Sequence, residues 1–497
     1  MSLFRKKDLT AMLAQSEDGG KGLKRTLGAG NLIALGIGAI IGAGLFVRTA
    51  AAAGQAAGPA VTISFIIAAV GCAFAGLCYA EFAAMIPIAG SAYAYSYVTM
   101  GELVAWIIGW ALIMEYALGA ATVSIAWSEY LNKLTGGAIP YEWSHSPFES
   151  FTDSMGVAHS GIMNAPALII LLALTLLLIR GSQESAIVNA VIVFIKVAIV
   201  IIFIAIGWQF IKPENHTPYM IPAGQAAVTD SAGKVIADYS GAFKHGWGGV
   251  LGGAAIVFFA FIGFDAVSTA AQEAKNPKRD MPIGILGSLV VCTILYILFG
   301  HVLTGVANWK DFVDPEKGRE ASVAYAISTY MTGYGWLATA VTVAILAGFS
   351  SVILVMLMGQ SRIFYSMSKD GLLPKAFGDL HPKYQTPYKS NWILFVFVGL
   401  FAAFVPGSVA GDLTSFGTLF AFVLVSLGVW ILRRKSPEME RPFKTPLVPL
   451  VPILGAVICL AMIFALDMQT LKVAFIWMIL GLFVYFLYSK KTSKLNK

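Results

Sequence analysis

Twelve stretches of about 20 apolar residues leave this chain a single class of fold. They run roughly over 29–54, 59–87, 100–131, 164–180, 186–208, 247–273, 282–306, 335–366, 391–406, 411–433, 448–467 and 471–488. In hydrocarbon every backbone polar group must find an internal partner, so stretches of this length are helices. The chain is therefore read as an all-α polytopic membrane protein with 12 transmembrane helices. Its 497 residues are only 12% charged and its mean hydropathy is +0.76, against about 25% charged residues in soluble domains. The polar first 28 residues hold no apolar h-region, so no signal peptide is expected.

The charges are arranged in alternation. Of the 34 Lys and Arg residues, 24 lie on one side of the membrane, 9 on the other and one, Lys196, deep inside a span, with those at span ends counted to the side they adjoin. By the positive-inside rule the richer side is cytoplasmic, so both termini are expected there. That pattern accounts for the net charge of +7 without a nucleic-acid partner. All four cysteines (Cys72, Cys78, Cys292, Cys459) fall within spans and read as small core residues, not as a disulfide framework.

Span 1 contains "GIGAIIGAGLF", with Gly36, Gly38, Gly42 and Gly44 in eleven residues, each costing about 1 kcal/mol of helix relative to alanine. Span 6, "GGVLGGAAIVFFAFIGFDAVSTAAQEAKNP", interrupts itself at Gly263 and Asp265. These are corresponding members of two five-span halves that enter the membrane from opposite sides. Paired Gly-interrupted spans point to a transport site near the midplane. Helix breaks at Gly42 and Gly263 free N–H groups that suit a carboxylate and carbonyls that suit an ammonium group. Together they describe an amino acid.

Ionisable residues deep in a span are functional candidates. Lys196 lies about ten residues into span 5, roughly 15 Å along a helix, where an amine can take up and release a proton during a cycle. Glu115, central in span 3, is read as a polar wall of the substrate side-chain pocket. Asp265 is expected to cap the helix segment after the span 6 break, and Glu81 to be structural. Val355 and Met358, following Ser351 on one face of span 8, are expected to shorten the pocket.

"GIGAIIGAGLF", "CYAEFAAMIPIAGSAYAYSYVTMGE", "FFAFIGFDAVSTAAQEAKNPKRDMPIGI", "GQSRIFYSMSKDGLLP" and "RPFKTPLVPLVP" together resemble the amino acid–polyamine–organocation superfamily. The second and third resemble its cationic amino acid transporter branch, in a bacterial-type form; animal members of the branch carry fourteen spans. The resemblance runs from about Lys24 to the last span. It implies a LeuT-like 5+5 inverted-repeat core plus two additional helices. It also implies that Ile40, Ala43 and Gly44 contact the substrate carboxylate. Phe259, Ala260 and Ile262 would offer carbonyls to the α-ammonium group, with the Phe259 ring covering the substrate. Sodium-coupled relatives hold a cation between carbonyls matching Gly38 and Ile41 and span 8 hydroxyls, here Ser350 and Ser351. Lys196 would fill that space with its ammonium group.

These observations make the chain one domain. Its expected parts are a cytoplasmic segment 1–28, a first five-helix repeat 29–208 and a second 247–406 completed by helix 10 at 411–433. Two additional helices, 448–488, and a cytoplasmic tail, 489–497, follow. The expected function is proton-coupled import of L-amino acids across the cell membrane, with small neutral substrates such as alanine ahead of cationic ones such as arginine. No membrane-embedded HExxH, paired aspartates or Ser–His arrangement points to an enzyme, and no Walker motif to ATP drive. The expected partners are the L-amino acid, the proton and membrane lipid; no cofactor, metal or nucleic acid is expected. A channel would lack the inverted pair of broken spans.

Overall fold

The computed structural model describes residues 4–8, 25–42, 44–152, 158–229, 235–313, 322–405, 407–464 and 468–496. The helices begin with α1 (Ala29–Ile40), α2 (Val61–Met85), α3 (Ser91–Thr99), α4 (Glu102–Ile113) and α5 (Gly119–Leu134). Next come α6 (Ala165–Arg180), α7 (Ser182–Gly207), α8 (Gly246–Phe258), α9 (Pro277–Val306) and α10 (Ser322–Tyr330). The last are α11 (Gly335–Lys369), α12 (Tyr388–Phe404), α13 (Gly407–Lys435), α14 (Leu450–Phe464) and α15 (Met468–Val484). Among the described residues, eight helical stretches are long and apolar enough to cross a membrane, and four shorter apolar helices accompany them.

The first helical rod breaks among its glycines. α1 stops at Ile41, whose ψ of 98° is extended, and the chain resumes as a π-helical turn over Gly44–Arg48. The sixth rod breaks similarly. α8 passes into a 3₁₀ turn, Phe259–Phe261, then Ile262 takes ψ 135°. Gly263 follows at φ +111°, before the short helix Ala266–Thr269. Only glycine adopts that φ without steric cost. A β-carbon there would also stand 2.9 Å from the Ala39 β-carbon.

α9 packs along both α1 and α2, while α11 packs against α5 and α7, so the two broken rods lie enclosed by unbroken helices. Both chain ends lie on one face. Arg5 Nη1 donates to the Leu495 carbonyl at 2.7 Å, and Lys7 Nζ pairs with Asp370 Oδ1 at 2.5 Å. We call this the terminal face.

Two regions depart from expectation. The eighth span runs on past 366: the polar and aromatic stretch "SRIFYSMSK" is the last part of α11, which ends at Lys369, and is largely buried. Its polar side chains find partners inside: Arg362 Nε donates to Glu273 Oε1 at 2.8 Å, and the Ser366 hydroxyl donates to the Ala89 carbonyl. With those groups satisfied, the helix can continue through the protein. Second, the all-α reading omits two small antiparallel hairpins in the long connections. β1 (Ser150–Thr152) pairs with β2 (Ala158–Ser160), and β3 (Val228–Thr229) with β4 (Val235–Ala237). The connecting backbone satisfies part of its hydrogen-bonding there.

Candidate functional site

The two helix breaks meet. A β-carbon on Gly44 would stand 2.2 Å from Cα of Ala260, so the chain turns are in backbone contact at this point. No residue but glycine fits there without moving main chain. Helix resumes at Gly44, and the N–H groups of Leu45 and Phe46 turn back to the Gly42 carbonyl, at 3.2 and 3.5 Å. The positive end of the helix dipole there suits a carboxylate. The expected contact at Ala43 lies outside the described residues.

Each break exposes carbonyls, and a side chain from a neighbouring helix reaches them. Lys196 on α7 is fully buried, and its Nζ donates to the carbonyls of Gly38 at 3.0 Å and Ile41 at 2.8 Å. Tyr296 on α9 places its hydroxyl 2.9 Å from the Ile40 carbonyl and 2.8 Å from the Ala260 carbonyl. Its one proton serves either acceptor, so it joins the two breaks. Tyr296 is absent from the sequence-based site. The only signal was a lone tyrosine in the apolar run "TILYILFG", which gives no hint of its partners.

The expected contacts of Lys196 with Ser350 and Ser351 are not present among the described residues. Ser350 Oγ donates to the Leu346 carbonyl one turn back at 2.9 Å, as helical serines commonly do. Ser351 Oγ donates instead to Asn189 Oδ1 at 2.5 Å, close beside Gly38, where a β-carbon would stand 2.6 Å from Ser351 Oγ. Asn189, on the same helix as Lys196, intercepts the hydroxyl.

The carbonyls of the second break are partly engaged. Phe259 O accepts the Ile262 N–H at 3.3 Å and Ala260 O accepts from Tyr296; each keeps a further lone pair. The Phe259 ring is half-buried, and the Arg48 guanidinium stands over it, 5.1 Å from its centroid. Gly42 sits in the first break, with Val352 filling the space a β-carbon would need.

Glu115 lies in a π-helical turn, Met114–Leu118, fully buried and facing Asp265. The Thr418 hydroxyl and the Asp265 carboxyl are the polar groups nearest its own carboxyl. Asp265 does not cap the helix after the break. Its backbone is already helical (φ −67°, ψ −26°), not extended as a capping residue's is, and Oδ2 instead accepts the Tyr116 hydroxyl. Val355 and Met358 are both buried. They line a small space with Leu27, Leu35 and Asn189 on the terminal-face side, because α11 turns them toward α1 and α7. Glu81 is tied to Arg433 at 2.8 Å, to Arg441 at 3.3 Å and to the Thr445 N–H at 2.7 Å.

Below the breaks, on the terminal face, the chain before α1 is held to the end of the sixth rod. The N–H groups of Thr26 and Leu27 each donate to the Glu273 carbonyl at 2.9 Å, and the Lys275 N–H donates to Leu27 O at 2.8 Å. The Glu273 side chain meets Arg362, with both side chains fully buried.

Comparison with known proteins shows the family. Residues 27–487 match the family described as amino acid permease. The chain is 42% identical over 500 residues to the branched-chain amino acid permease BcaP of Bacillus subtilis, covering all of this chain and 99% of the relative. It is 41% identical to the methylthioribose transporter of the same organism, with both chains covered in full. Human cationic amino acid transporter 4 is 34% identical, over 86% of this chain and 63% of the relative. With its many apolar helices, two adjoining helix breaks and transporters among its relatives, this multi-pass membrane protein belongs to the amino acid permease family, in the amino acid–polyamine–organocation superfamily.

Proposed function

We propose that the chain is a proton-coupled importer of neutral aliphatic L-amino acids, with alanine a favoured substrate. The observation that carries the reading is the buried Lys196 ammonium group on the Gly38 and Ile41 carbonyls, beside the meeting of the two breaks. Held by carbonyl dipoles and with no carboxylate in ion-pair distance among the described residues, Lys196 can lose its proton without stranding a counter-charge. When protonated it joins α7 to the first break and favours the substrate-competent state; when neutral it releases that break to move. Gly44, Ala43 and Ile40 would receive the substrate carboxylate, and the carbonyls of Phe259, Ala260 and Ile262 its ammonium group. Phe259 would close over the substrate, and Glu115 would bound the side-chain pocket.

The architecture in this reading is twelve membrane-spanning helices in a 5+5 inverted repeat, 29–208 against 247–406 with 411–433, followed by two further helices. The terminal face is cytoplasmic, in keeping with its excess of Lys and Arg, and the protein sits in the cell membrane. A neutral substrate is favoured because Arg48 places positive charge over the covering ring of Phe259. The 42% identity to a branched-chain amino acid permease points to the same class.

Uptake into proteoliposomes under an inward proton gradient tests the reading, with labelled alanine, leucine and arginine in parallel. Alanine or leucine should accumulate whether sodium or potassium is present. Strong arginine accumulation with no competition from alanine would overturn the substrate class, and a strict need for sodium would overturn the coupling. A second reading, methylthioribose uptake, is favoured by the 41% identity to that transporter. It predicts that methylthioribose, and no amino acid, accumulates.

A further inference from the structure

We propose that a cavity on the terminal face binds the phosphate headgroup of an anionic phospholipid. The cavity, 550 Å³ in volume, lies between the turn after α11 and the carboxyl-terminal tail, and Lys369, Lys375, Lys491 and Lys494 all line it. Its one lining carboxylate, Asp379, is already paired with Lys389 at 2.7 Å. The neighbouring Asp370 is taken by Lys7 and by the Tyr93 hydroxyl, the latter at 2.8 Å. Four lysine side chains therefore line a space whose nearby negative charge is committed elsewhere, the Lys369 amine standing at its margin, 5.3 Å from the centre of the Tyr365 ring. Such a concavity is matched by a compact, multiply accepting anion.

The walls are fixed by local bonding. Lys494 N–H donates to Asp370 O at 3.0 Å, Ser489 Oγ to Leu372 O at 2.8 Å, and Ser368 Oγ to Pro374 O at 2.8 Å. The tail is thus pinned on the α11 turn, and two lysines from each are held around one cavity. Depth favours a lipid as the source of the phosphate. Directly before the tail lysines, Phe483 and Leu487 are 61% and 70% exposed, as suits side chains facing acyl chains. Tyr488 lines the cavity at the level where aromatic rings meet headgroups. Basic pockets at this level recognise lipid headgroups.

The test uses the full chain in mixed micelles of phosphatidylcholine and phosphatidylglycerol, with bound lipid counted by native mass spectrometry. Wild-type protein should retain phosphatidylglycerol in preference to phosphatidylcholine. Lys375→Gln with Lys491→Gln should reduce that retention at least about fivefold, while Lys444→Gln, an exposed lysine outside the cavity, leaves it unchanged. If the double variant does not fold, each single variant is read in the same assay and should lose part of the retention. Thermal unfolding with inorganic phosphate, in detergent free of anionic lipid, separates the sources. Protection by phosphate that the lysine substitutions abolish, without lipid retention, would assign the cavity to a free anion and overturn the lipid. Equal retention by wild type and the folded lysine variants, or an equal loss in Lys444→Gln, would overturn the site.

Discussion

The amine of Lys196 stands 2.8 Å from the carbonyl oxygen of Ile41, the residue at which α1 stops being helical. The lysine thus occupies the gap the break opens, and its charge state bears on whether the first rod can move. Lys196→Ala should fold and lose accumulation driven by a proton gradient. Lys196→Arg is the sharper variant, because a guanidinium keeps its proton. It should bind amino acid yet fail to accumulate it. Wild-type accumulation by either variant in proteoliposomes would remove Lys196 from the coupling.

Tyr296→Phe removes the hydroxyl that joins Ile40 O to Ala260 O and leaves the ring packed against Phe65 and Phe261. An orphaned buried carbonyl costs about 1–3 kcal/mol, so uptake kcat/KM should fall roughly 5- to 100-fold with little change in fold. An unchanged rate would show that the two breaks hold their relation without it.

Gly44→Ala should abolish uptake, because the added carbon meets Ala260 main chain at 2.2 Å and only a backbone shift can relieve it. Gly28→Ala, just before α1, meets no atom within 4 Å and should transport normally. The pair separates a local clash from general sensitivity of the first rod to glycine replacement.

Arg362 and Glu273 form an ion pair with both side chains fully buried. Glu273→Gln leaves a buried guanidinium without its counter-charge, at a cost of about 3–5 kcal/mol. Melting should fall well below wild type, and the backbone clamp on Thr26 and Leu27 should loosen. The double variant Glu273→Leu with Arg362→Met should melt above the single one, since it removes the charge together with its partner. Melting of the double variant below the single would argue that the pair contributes more than mutual neutralisation.

Arg48→Gln should ease entry of arginine. Arginine uptake relative to alanine should rise, by about 2- to 10-fold, because the substitution removes a positive charge from beside the Phe259 ring. No change in that ratio would place the selectivity elsewhere, with Glu115 the next candidate.

The sequence by itself determined where helices lie and where two of them fail. Apolar length and glycine density are local properties, so the breaks after Ile41 and around Gly263 were legible from the residues that make them. Lys196 stood out for the same reason: a charge in mid-span is costly wherever its neighbours are. Partnership was not local. Ser350 and Ser351 differ by one position, about 100° around the helix. That rotation sends one hydroxyl back to Leu346 and the other to Asn189, away from Lys196. The same dependence on helix rotation faced Val355 and Met358 toward Leu27 and Leu35, turned Asp265 to Tyr116, and brought Tyr296 to both breaks. Such contacts depend on how neighbouring helices are turned about their axes. That rotation is decided by packing across the whole molecule, and only the tertiary structure contains it.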